Sequence, residues 1–130
     1  TFESFAVYGR SKLANLLGAH KLCKVLKADK EYREAIVVNS LHPGNPVTSV
    51  TGNLPAYLRV MEKTFYPFMF LYRETCTAGA FCSVWTATNK EAIKKENQYY
   101  IDSASAQKNV DAENDEYADR LWHLCEELCE

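Results

Sequence analysis

The chain is poor in glycine, and the five it has (Gly9, Gly18, Gly44, Gly52 and Gly79) form no cluster. A phosphate-cradling loop needs closely spaced glycines at a helix N-terminus, so these residues carry no such loop. Long apolar runs are also missing. The most apolar stretch, Phe65 to Tyr72, is far shorter than the roughly 20 residues that cross a bilayer. Neither sign of charge dominates. Fifteen basic and 17 acidic residues leave a net charge of −2, so no nucleic-acid partner is expected.

Cysteine gives no framework either. The five (Cys23, Cys76, Cys82, Cys125 and Cys129) are odd in number, and neither they nor the scattered His20, His42 and His123 follow a zinc spacing. No metal is expected. Reduced thiols point to an intracellular setting, cytoplasmic or at the cytoplasmic face of a membrane. The first residues, Thr1-Phe-Glu-Ser4, show no initiator methionine and no signal-like run. The chain therefore reads as cut from something longer.

What is present is ordinary globular sequence: 130 residues, 47% apolar and 25% charged. Leu13, Leu16, Leu17, His20 and Cys23 recur at helical spacing and predict a helix over about Ser4 to Ala28. A charged connector, Asp29 to Glu34, leads to Ala35-Ile-Val-Val-Asn-Ser-Leu41, which reads as a buried parallel strand. A proline- and glycine-punctuated loop, Asn45 to Pro55, precedes a helix over Ala56 to Tyr72.

A third helix opens at Thr75, a possible cap, and runs through Ala87; Gln98 to Ile101 is a second strand. The last helix spans Asp111 to Glu130, with Asp111 as cap and Tyr117, Leu121, Leu124, Cys125 and Leu128 as its buried face. Two strands among four helices imply an α/β fold. A buried parallel strand needs neighbours on both sides, so further strands are expected outside this sequence.

The chemistry is concentrated in Tyr8-Gly-Arg-Ser-Lys12. Residues four apart share a helix face, so the phenol and the ammonium can meet. A free phenol, with a pKa of about 10, is a poor base at neutral pH, and a neighbouring cation favours its ionised form. Such a pair can exchange a proton with a hydroxyl or carbonyl. An ordinary surface pair on an amphipathic helix has the same spacing.

The order of motifs resembles a known family. Tyr8-x-x-Ser11-Lys12-Leu-Ala-Asn15, Val38-Asn39-Ser-Leu-His42-Pro43-Gly44, Thr75-x-x-x-Gly79-Ala80, Tyr100-Ile-Asp102 and Ala118-x-x-Leu121-Trp122 resemble the C-terminal half of short-chain dehydrogenases/reductases. His42-Pro43-Gly44-Asn45 is most similar to the branch containing the retinol dehydrogenases and the WW-domain-containing oxidoreductase.

The resemblance implies the C-terminal part of a Rossmann-type, doubly wound parallel sheet, incomplete here. Residues 1–130 would form the C-terminal portion of a single NAD(P)-binding oxidoreductase domain whose N-terminal half is absent. It implies NADP or NAD as cofactor and a hydrophobic alcohol or carbonyl, such as a retinoid or steroid, as substrate. Tyr8 would be the acid/base, and Lys12 would assist it and bond the nicotinamide ribose. Pro43, Gly44, Asn45, Val47 and Thr48 would line the nicotinamide. Pro46 stands where the family has a residue with a backbone N–H, so either the register slips and Val47 takes over that bond or cofactor affinity is weakened.

The aromatic run at 65–72, flanked by Lys63 and Arg73, fits a core segment, a pocket lid or a peripheral membrane contact. An alternative reading is a truncated, non-catalytic interaction fragment that forms a homodimer through the 4–28 and 75–88 helices.

Overall fold

The computed structural model describes residues 2–44 and 76–129, together with Val60 and Thr64. Its first element is α1 (Phe2–Ala28), a continuous helix. Leu17, His20 and Cys23 are its buried positions, and their spacing of three places them on one side. The chain leaves α1 through a turn in which Asp29 Oδ1 accepts from the Glu31 N–H at 2.8 Å.

The strand that follows is shorter than the apolar run suggested. β1 covers only Ser40–His42, and Ile36 and Val37 are exposed. The reason is pairing. Among the described residues β1 has one neighbour, β2 (Tyr99–Ile101), in parallel register Ser40↔Tyr99, Leu41↔Tyr100 and His42↔Ile101. Just before them, the Asn97 N–H donates to the Val38 carbonyl and the Ser40 N–H to the Gln98 carbonyl. Residues 36–37 precede these bonds and form no part of the ladder.

A third strand was not expected. β3 (Ala104–Ala106) pairs antiparallel with β2, giving a mixed sheet of order β1-β2-β3. Asp102 and Ser103 join them with φ of 51° and 61°. Two positive φ angles make the hairpin turn whose twist matches its strands, and here it is built without glycine.

Three α-helices lie among the described residues. The expected helix over 56–72 and the capping role of Thr75 fall outside them. Only Val60 and Thr64 are described there, helical and joined by a Thr64 Oγ1–Val60 carbonyl hydrogen bond of 2.9 Å. α2 (Cys76–Thr88) packs on the sheet. Cys82, Ala92 and Tyr100 form a small core with Leu41 and Trp85 against it. The Trp85 and Tyr100 rings meet edge to face at 5.4 Å, and burial, with Glu91 nearby, pushes the Tyr100 phenol up.

The C-terminal helix starts later than expected. A 3-10 turn, Val110–Glu113, is capped by Asn109, and α3 (Asp115–Cys129) follows. Asn114 caps α3, its Oδ1 accepting from the Tyr117 N–H at 3.1 Å, so the expected cap Asp111 lies inside the preceding turn. The expected buried face is also corrected. Ala118 is buried, whereas Tyr117, Leu124, Cys125 and Leu128 are exposed.

α1 and α3 are clasped by charge. Asp115 accepts from His20 Nε2 at 2.9 Å and from Lys24 Nζ, while Lys21 pairs with Asp119 at 2.6 Å. His20 is buried, and its Nδ1 accepts from the Asn97 amide at 3.0 Å. Lys108 Nζ, donating to Asn97 Oδ1 at 2.6 Å, fixes which way that amide points. Burial holds the Lys108 ammonium below its usual range, against the pull of Glu113.

The Lys24 bond and then the His20 bond hold the Asp115 carboxyl at about 2, below its ordinary 3.8. A carboxylate depressed in the fold stabilises fully above its unfolded pKa and loses that contribution as pH falls toward the folded value. Between pH 4 and 2 the helical signal should therefore fall more steeply with acid for the parent chain than for Asp115→Asn. Equal slopes in an acid titration followed by circular dichroism would contradict the clasp.

Candidate active site

Tyr8 and Lys12 lie one turn apart in the first half of α1. The Lys12 ammonium sits over the Tyr8 ring, 5.3 Å from its centroid, a cation–π contact. The helical spacing thus brings the two side chains together, with the charge over the ring face. Ser11 Oγ donates back to the Tyr8 carbonyl at 2.7 Å, which ties that hydroxyl to the helix backbone.

This half of α1 is open. Tyr8 is 60% exposed, and residues 6–12 are exposed all the way round the helix. Burial begins only at Leu17.

Pro43 and Gly44 stand just beyond the carboxyl end of β1. The Gly44 N–H donates to His42 Nδ1 at 3.0 Å, and Gly44 has a φ of 77°, a conformation glycine adopts without strain. Asn45, Val47 and Thr48, and with them Pro46, lie outside the described residues. The two groups rest on elements with different packing partners. α1 lies on α3 and the 3-10 turn, and β1 lies on β2 and α2.

Asn39 was passed over in the sequence, although a polar residue inside an apolar run is a recognisable signal. Its Nδ2 donates to the Ala92 and Lys95 carbonyls at 3.0 and 2.9 Å, and its Oδ1 accepts from the Gln98 N–H at 2.9 Å. One side chain therefore fixes where β1 and β2 begin, and so where His42-Pro43-Gly44 emerges.

Comparison with known proteins adds to this geometry. The chain is 30% identical to mouse retinol dehydrogenase 12 over 93% of its own length and 35% of that protein's. It is 29% identical to an uncharacterized oxidoreductase of Schizosaccharomyces pombe, over 98% of this chain and 36% of the relative. It is 28% identical to the short-chain dehydrogenase TIC 32 A, chloroplastic, of Brassica napus, over 95% and 36%.

The chain is a relative of the short-chain dehydrogenases/reductases. It spans about a third of the length of these curated relatives. No family model matches it, and no solved structure does.

A dinucleotide of the kind these dehydrogenases use is matched at one end only. The exposed Tyr8 hydroxyl and Lys12 ammonium are donors suited to ribose hydroxyls. The described glycines make no pyrophosphate cradle, since Gly9 and Gly18 lie inside α1, Gly79 is buried in α2, and Gly44 stands alone after β1 with its N–H given to His42. Among the described residues, no three of His, Cys, Asp or Glu gather as a metal site.

Replacing Asn39 with Ala leaves the Gln98 N–H and two carbonyls without their partner. The expected cost is about 1–3 kcal/mol, read as a lower urea midpoint with an unchanged slope. An unmoved midpoint would show that Asn39 does not hold the strands in place.

Proposed function

We propose that this chain supplies the C-terminal portion of an NAD(P)-dependent oxidoreductase interconverting a hydrophobic alcohol and its carbonyl. Tyr8 carries the proton and Lys12 is its cationic partner. The observation that supports this most is the meeting of Tyr8 and Lys12 on one face of α1 in a relative of dehydrogenases.

The α/β arrangement, with β1 and β2 parallel, suits the carboxyl-end part of a Rossmann-type sheet. The mixed edge made by β3 is common in such sheets. The open first half of α1 fits a helix that other parts of the enzyme would cover.

In the reductive direction the Tyr8 phenol donates its proton to the carbonyl oxygen. In the oxidative direction its phenolate removes the alcohol proton. The Lys12 ammonium, held beside the Tyr8 ring, would bond the ribose. Pro43 and Gly44, with Asn45, Val47 and Thr48, would be the residues that line the nicotinamide. The cofactor supplies hydride transfer, and the chain supplies alignment and the proton.

A retinoid or steroid is the substrate class proposed, in keeping with relatives such as mouse retinol dehydrogenase 12. In such a protein the aromatic run at 65–72 would serve as the apolar wall or as a peripheral membrane contact. No helix among the described residues is long and apolar enough to cross a membrane.

The test is Tyr8→Phe in the full-length enzyme, assayed with retinaldehyde and a steroid ketone. Turnover should fall by about 10²–10⁴-fold while the dissociation constant for NADPH changes by less than about threefold. Undiminished turnover would remove Tyr8 from the chemistry.

A further inference from the structure

The C-terminal helix turns its most apolar side away from the protein. Asp115, Ala118 and Asp119 face α1, through the Asp115 bonds, the burial of Ala118 and the Lys21–Asp119 pair. Tyr117, Leu121, Leu124 and Leu128 recur at four, three and four residues and form a single stripe. At 3.6 residues per turn, the centre of that stripe lies roughly 140° around the helix from the α1-facing side. Tyr117, Leu124 and Leu128 are 46%, 51% and 77% exposed, and Leu121 is half-buried. α3 therefore docks by small and charged residues and leaves Leu124 and Leu128 in solvent.

We propose that this stripe is a self-association surface, and that a second copy of the chain packs its own α3 against it in antiparallel orientation. The charges beside the stripe select both partner and direction. Arg120 and Glu127 flank one edge, seven residues apart, the same step that separates Tyr117 from Leu124 and Leu121 from Leu128.

In an antiparallel pair centred between Leu121 and Leu124, Leu121 meets Leu124 of the second copy and Tyr117 meets its Leu128. Arg120 then opposes Glu127 of the second copy, twice by symmetry. In a parallel pair the two-fold axis would put these edges on opposite sides of the seam, so Arg120 would face Cys125 of the second copy and its pairing with Glu127 would be lost. The same edge also carries Glu116, and α3 has no lysine, so it lacks the basic rim that draws helices to anionic lipid.

The exposed face of α2, with Phe81 and Val84, has no charged residue beside it to fix a register. One helix pair of this length buries less than the ~800 Å² per partner of a standard interface, so the dimer is reversible, with a dissociation constant of roughly tens of micromolar. It requires neither Tyr8 nor Lys12.

Sedimentation equilibrium of the 130-residue chain from about 5 to 500 µM, with reductant to keep Cys125 and Cys129 as thiols, tests this directly. The parent chain should pass from monomer to dimer over that range. Leu124→Gln with Leu128→Gln should weaken association at least about tenfold, and Arg120→Glu alone about fivefold.

Arg120→Glu combined with Glu127→Arg should recover the parent constant within about threefold. All four positions are exposed or at the edge of the stripe, and an unchanged far-ultraviolet spectrum confirms that each variant folds. A parent chain that stays monomeric throughout would overturn the proposal. So would a charge swap no better than the single reversal, or a monomer that floats with phosphatidylcholine vesicles through Leu124 and Leu128.

Discussion

The carboxylate of Asp115 is the point on which the arrangement of this chain depends. It stands in the first turn of α3, where the helix dipole favours a negative charge, and it accepts from both His20 and Lys24 of α1. An exposed ion pair by itself contributes little. His20 is buried, however, and its two ring nitrogens are satisfied only while Asp115 and Asn97 remain in place. Lys108 in turn holds Asn97. The clasp is therefore a linked polar network, and it joins α1, α3 and the turn that leads into β2.

The clasp grips only the second half of α1. Leu17, His20 and Cys23 face α3 and its preceding turn, while residues 6–12 have no buried position. Among the described residues the buried core is built largely from alanine and cysteine, with Leu17 and Tyr100 as its large apolar members. Tyr8 and Lys12 stand on the uncovered end of α1. The proposed role of the pair would require other segments to close over it.

Features set by local spacing were legible in the sequence. α1, α2 and the position of β2 follow from helical and strand periodicity, and the meeting of Tyr8 with Lys12 follows from four-residue spacing. Features set by tertiary contact were not. The run 35–41 contains apolar residues enough for a longer strand, but β2 offers a partner only to residues 40–42. β3 was hidden because Asp102-Ser103 makes a turn usually signalled by Asn-Gly. The apolar stripe of α3 announced a buried face, yet the charges on the opposite side found partners on α1 first. Asn39 and His42 belong to the motif that carries the resemblance, but their hydrogen bonds rest on backbone groups brought close by folding.

Amide hydrogen exchange on the 130-residue chain, read segment by segment, tests this account most directly. Protection should be strong over residues 17–27 and near zero over residues 6–12, and Asp115→Asn should erase the first without altering the second. Protection spread evenly along α1, or unchanged by Asp115→Asn, would mean that the helix is held by something other than this carboxylate.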